Sequence, residues 1–169
     1  MSYSQTASGA ALYASPRTLI RCAATAVQPS PNGSSQRNDL TGVAATSASN
    51  AWAVGYYFSG SELQTLIEHW NGRRWAVQPS PNPGTVSQLY GVAATSATNA
   101  WAVGSYQNGT APDRTLIEHW NGRDWAIQPS PSVGVSANNL FSAAATSAAN
   151  AWAVGSYRGI SRTLILNYP

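Results

Sequence analysis

The residues able to do chemistry are few, and most of them recur. Glu68, His69, Trp70, Asn71 and Arg73 lie in TLIEHWNGRRWAVQPSP at Thr65 to Pro81. Glu118, His119, Trp120, Asn121 and Arg123 lie in TLIEHWNGRDWAIQPSP at Thr115 to Pro131. The six carboxylates of the chain are Asp39, Glu62, Glu68, Asp113, Glu118 and Asp124. Glycoside hydrolysis would need two of them a few ångströms apart, one with a raised pKa. Glu68 and Glu118 occupy the same place in successive copies, and no second acid recurs beside them. The expectation is therefore a structural role, balancing a neighbouring Arg or capping the hairpin, and no catalytic residue is assigned. His69 and His119 are the only histidines, and without clustered Cys or carboxylates they make a poor zinc site. Neither metal nor cofactor is expected. No Ser stands in a Gly-x-Ser-x-Gly elbow, and two His with few acids give no basis for a nucleophilic triad.

What remains is binding. Trp70 and Trp120, bordered by Asn71, Arg73 and Glu68 or by Asn121, Arg123 and Glu118, resemble the aromatic platforms on which sugars stack. Equivalent weak sites repeated around a ring would add avidity, so glycans are a candidate partner. The competing reading, which is favoured, has these indoles filling wedges between packed sheets with Arg stacked on them.

Position follows from the hairpin. Asn71-Gly72 between two apolar, β-branched and aromatic runs predicts a two-residue turn with positive φ at both central positions. Such a turn sets Trp70 opposite Arg73, His69 opposite Arg74 and Glu68 opposite Trp75. Because side chains alternate along a strand, Glu68, Trp70, Arg73 and Trp75 would share one face. The second copy repeats this with Glu118, Trp120, Arg123 and Trp125.

The hairpin belongs to a longer repeat. Trp52, Trp101 and Trp152 stand 49 and 51 residues apart, and Trp75 and Trp125 are separated by 50. Units open at Leu40 (LTGVAATSASNAWAVG), Leu89 (LYGVAATSATNAWAVG) and Leu140 (LFSAAATSAANAWAVG). Each offers four strand-like runs divided by turn residues, and none has helical periodicity. Four short antiparallel strands per fifty residues is the size of a propeller blade. The prediction is an all-β propeller: 1–9 disordered, 10–39 a partial blade with strands two to four, 40–88 and 89–139 complete blades, 140–169 a partial blade with strands one to three. In Arg17 to Pro31 (RTLIRCAATAVQPSP) the hairpin has lost its Trp and Asn-Gly. About fourteen strands are few for a monomeric ring, and open sheet edges invite pairing. A ring closed by homo-oligomerisation is expected, a two-fold dimer holding an even number of blades.

Composition removes other classes. All nine basic residues are Arg, and the net charge of +3 is spread along the chain without a basic run beyond Arg73-Arg74, so nucleic acid is not an expected partner. Cys22 is alone, which excludes an intrachain disulfide framework. No apolar run approaches the roughly 18 residues of a membrane helix, so no membrane insertion is expected. MSYSQTASGA lacks the charged and apolar regions of a secretory leader; an extracellular protein whose leader is not part of this chain is nonetheless expected. The absence of Lys amid abundant Ala, Arg, Gly, Pro, Ser and Thr points to a GC-rich bacterial genome.

With the motifs Ser-x-x-Asn-x-Trp-Ala-Val-Gly, His-Trp-Asn-Gly-x-x-Trp and Pro-Ser-Pro in view, the chain resembles bacterial tandem-repeat β-propeller proteins, kelch-like in blade size. The resemblance covers Leu40 to Tyr168 well and Arg17 to Pro31 in part. It implies the propeller fold, which hosts lectins, enzymes and interaction scaffolds alike, and it carries no catalytic residue; the expected role is a non-catalytic binding or scaffold module. The sialidase-type Asp box is absent, because Trp70 and Trp120 stand where its acid would be.

Overall fold

The computed structural model describes residues 26–158 and 162–169. These hold eleven strands and no helix: β1 (Asn38–Ser47), β2 (Asn50–Ser59), β3 (Glu62–Trp70), β4 (Trp75–Gln78), β5 (Val86–Ser96), β6 (Asn99–Gln107), β7 (Arg114–Trp120), β8 (Trp125–Ile127), β9 (Asn138–Ser147), β10 (Asn150–Tyr157) and β11 (Arg162–Tyr168). They form three antiparallel meanders, β1-β2-β3-β4, β5-β6-β7-β8 and β9-β10-β11, here called blades one to three. One parallel bridge, Leu63 to Val86, joins the first two blades into a continuous sheet.

The repeated motifs explain the local geometry. Between the first two strands of each blade, the hydroxyl of Ser47, Ser96 or Ser147 accepts the N–H two residues on, at 3.2 Å in each case. A short polar side chain thereby fixes the turn. The Gly of AWAVG answers a close approach: a Cβ on Gly55, Gly104 or Gly155 would collide with the carbonyl oxygen of Asp39, Gln88 or Asn139 on the paired strand.

Alternation along each strand gives each blade a front and a rear. Trp52, Val54 and Ile67 on the rear of blade one meet Leu89, Val92, Leu116 and Trp125 on the front of blade two. Trp101, Val103 and Ile117 on the rear of blade two meet Leu140, Ala151, Ala153 and Leu164 on blade three. Full burial of one such large side chain contributes about 1.5–3 kcal/mol, so these two seams are the core. Thr41 ties the first seam by donating its hydroxyl to the Leu89 carbonyl at 2.8 Å.

The all-β content agrees with the sequence expectation. The first strand of each blade begins two or three residues before Leu40, Leu89 and Leu140. Of the partial unit expected at 10–39, residues 10–25 lie outside the described residues, as do 1–9. Residues 26–37 run without a strand across the front of blade one. Among the described residues no ring closes: the front of blade one and the rear of blade three have no neighbouring blade.

Candidate functional site

The hairpin register differs from the sequence expectation. Trp70 pairs with Trp75, His69 with Ala76 and Glu68 with Val77, and the second copy matches with Trp120–Trp125, His119–Ala126 and Glu118–Ile127. The turn is a four-residue loop because of the Asn side chain. Asn71 Oδ1 accepts the N–H groups of Arg73 at 3.0 Å and Arg74 at 3.1 Å, and Asn121 does the same for Arg123 and Asp124. Gly72 (φ 87°) and Gly122 (φ 96°) take the positive φ; neither Asn does, as a primed two-residue turn would require. Arg73 and Arg74 therefore leave the sheet for solvent. The shared face is Glu68, Trp70, Trp75 and Val77, with Trp rings 5.8 Å apart in the first copy and 5.9 Å in the second.

The two glutamates are buried, Glu68 to 1% exposure and Glu118 to 0%. Ser30, crossing the front of blade one, donates to the Glu68 carboxylate, its Oγ 2.9 Å from each oxygen. Burial raises the Glu68 pKa, and the Ser30 hydrogen bond offsets part of that rise. Glu118 faces blade one instead, neither of its oxygens has a hydrogen-bond partner among the described residues, and burial pushes its pKa to about 8. It is a neutral carboxyl at neutral pH. Arg73 and Arg123 balance neither acid: Ser30 holds Glu68, and Arg123 is turned outward beside Asp124, 3.4 Å away.

The histidines are framework. His69 stacks on Trp52 with ring centroids 4.1 Å apart, and its Nε2 meets Asn50 Oδ1 at 2.7 Å. Asn50 in turn donates to Thr46 Oγ1 at 2.6 Å. Blade two repeats the chain with Trp101, His119, Asn99 and Thr95. Burial lowers both His pKa values, which keeps the rings neutral for this arrangement. Sequence reasoning did not assign this relay, although Thr-Ser-x-x-Asn four residues apart in all three units was its signal.

The hairpin tryptophans divide. Each donates its indole N–H to the turn of its own blade, Trp70 to Ala48 O at 3.0 Å and Trp120 to Ala97 O at 3.1 Å. Trp120 also packs on Trp52 of blade one, centroids 5.2 Å apart, and borders a groove in the first seam. That groove, about 350 Å³, runs between Pro79-Ser80-Pro81 of one blade and Trp120, Arg123, Asp124 and Trp125 of the next. Among the described residues Trp70 has no preceding blade to meet. The space in front of blade one, about 410 Å³, is lined by Gln28, Ser30, Leu40, Val43, Glu68 and Trp75. The structure thus brings Trp120 and Arg123 together at one groove, commits Asn71 and Asn121 to their turns, and withdraws Glu68 and Glu118 beneath cover. Among the described residues no group of three His, Cys, Asp or Glu side chains is placed to hold a metal.

Short antiparallel meanders stacked face to face are propeller blades, and the all-β, propeller-like fold is the class this chain shows. No family model matches the chain, and no curated protein does. Among solved structures it is similar to YCF48 bound to a D1 peptide, a β-propeller, with a TM-score of 0.50 and 14% identity. The match covers 71% of this chain, which spans 36% of the YCF48 chain, and at this identity it speaks for the fold.

Proposed function

We propose that the chain is a non-catalytic, self-assembling binding or scaffold module whose ligands lie in the seams between blades. The observation that carries this reading is the seam groove. The Pro-Ser-Pro exit of one blade and the Trp hairpin of the next make one wall each, so each blade that carries the hairpin adds a like groove when it joins a ring. A Trp and Pro wall with Arg123 and Asp124 at its lip suits an extended peptide, whose side chains stack on the indole while its main chain meets the polar rim. The solved neighbour carrying a bound peptide is in keeping with this. The two carboxylates that recur are buried in separate blades, away from solvent, which argues against glycoside chemistry.

The test is an array of extended peptides probed with the chain and with Trp120→Ala and Arg123→Ala variants. Binding that falls at least tenfold in both variants while the fold persists supports the reading; binding untouched by either contradicts it. A second reading, a lectin using the Trp-Asn-Gly hairpins, is favoured by one feature: Trp70 is partly buried and adjoins the solvent-facing Asn71, Arg73 and Arg74. A glycan array separates it, since sugar binding lost in Trp70→Ala and kept in Trp120→Ala assigns the ligand to that surface. Placement outside the cell belongs to the same proposal.

A further inference from the structure

We propose that a second copy of this chain supplies the missing seam, its residues Ala26 to Gln28 pairing with the free edge of β11 and its blade-one front covering the rear of blade three. This rests on the self-assembling reading above and fixes its geometry. The first argument is that the two open faces already are partners inside the chain. On blade three, Trp152, Val154 and Ile165 hold the positions that Trp52, Val54 and Ile67 hold on blade one. The first three are exposed, Ile165 at 65%, whereas the blade-one set is wholly buried. On blade one, Leu40 and Val43 hold the positions of Leu89 and Val92, and Val43 is 70% exposed where Val92 is 9%. The buried first seam is made by joining these same two sets, so an exposed rear and an exposed front complement each other between copies.

The second argument concerns the edge. Blades one and two each carry an outer strand, with Glu68 opposite Val77 and Glu118 opposite Ile127; among the described residues β11 carries none. AVQPSP at Ala26 to Pro31 is identical to Ala76 to Pro81. Ser30 and Gln28 already lie at the front of blade one, as Gln78 to Pro81 lie at the front of blade two. The chain upstream of Ser30 therefore arrives as an outer strand leaves the blade before. Val27, at the place of Val77, is 97% exposed. The register transfers directly: Ala26 opposite Asn167, Val27 opposite Leu166 and Gln28 opposite Ile165. Two copies so joined, head to tail at two identical junctions, close a ring of six blades.

A cavity marks the same place. About 100 Å³ lies open among Trp101, Pro129, Pro131, Leu166 and Tyr168. In the first seam the corresponding rear Trp, Trp52, is met by Trp120 and by the outer-strand Trp125; in the second, Trp101 is met by Tyr168 at 4.6 Å, and no outer-strand Trp follows. In the aligned repeats the residue preceding AVQPSP is Trp75 in the second copy and Thr25 in the first, a much smaller side chain.

The test mixes two full-length chains in a Cys22→Ser background, one carrying Val27→Cys and the other Leu166→Cys. Opposed residues of paired strands have Cα atoms about 4.5–5.5 Å apart, within reach of a disulfide. A covalent dimer formed in the mixture, and in neither variant alone, is expected. Thr25→Trp should also lower the concentration at which assembly dissociates by roughly tenfold, the scale of burying one more aromatic side chain. A native dimer that yields no 27–166 disulfide and ignores Thr25→Trp overturns this register and leaves the self-assembling reading standing. A chain monomeric at every concentration overturns both. A single chain carrying both cysteines that closes the disulfide within itself, while the mixture does not cross-link, overturns the second copy as the partner.

Discussion

Glu68 and Glu118 stand at the same position of the same motif, yet each meets a different neighbour. The front of blade one is crossed by a loop, and the loop offers a hydroxyl, so Glu68 is buried with Ser30 on its carboxylate. The front of blade two is covered by a whole blade presenting Trp52, Val54 and Ile67, and Glu118 has no hydrogen-bond partner among the described residues, with its pKa pushed up to about 8. In a repeat protein the sequence of a unit sets its strands, while the adjoining unit decides the chemistry of its face. The same contrast separates Trp52, fully buried, from Trp152, 48% exposed.

The largest expected effect breaks the second comparison open. Trp52→Ala should lower stability by about 3–5 kcal/mol, the range for removing a core Trp, and Trp152→Ala by under about 1 kcal/mol in a dilute sample where the rear of blade three is free. Urea denaturation of the two variants measures the difference. Equal losses would mean that the rear of blade three is already covered at that dilution.

The pH dependence follows next in size. Between about pH 4.5 and 8 the folded chain keeps a proton on Glu118 that the unfolded chain has released. The folded state therefore binds more protons, and stability falls as pH rises through that window, by at most about 1.4 kcal/mol per unit. Glu118→Gln, neutral at every pH, should flatten that slope; urea midpoints across the range read it out, and an unchanged slope would contradict the burial of Glu118.

Ser30→Ala is the smallest. It should raise the Glu68 pKa further, leave Glu118 where it is, and cost on the order of 1 kcal/mol for the lost hydrogen bond. Titration of the two side-chain carboxyl signals by NMR distinguishes them. Movement of both together would mean that the front of blade one and the front of blade two are not independent.

Much of this architecture was legible in the residues. The fifty-residue period, the four runs per unit and the turn residues between them gave the blades, because strand alternation and turn chemistry are local. The hairpin register was misread for a physical reason: Asn-Gly signals a primed two-residue turn, but here the Asn71 side chain caps the N–H groups of Arg73 and Arg74 and draws two more residues into the loop. That shift moved Arg73 off the face it was expected to share with Trp70. The candidate site was legible as residue types and not as access. Glu68 and Glu118 read as a polar border for the tryptophans, and only the loop across blade one and the first seam show them covered. His69 read as a weak ligand, whereas its partner Asn50 lies across the sheet, nineteen residues away.

Between copies, the open faces of blades one and three are expected to meet. The most direct test is the solution mass of the full chain by light scattering across a wide dilution series. A sharp dimer at about twice 17.8 kDa that resists dilution is the expected result. A particle that stays at 17.8 kDa throughout would contradict it.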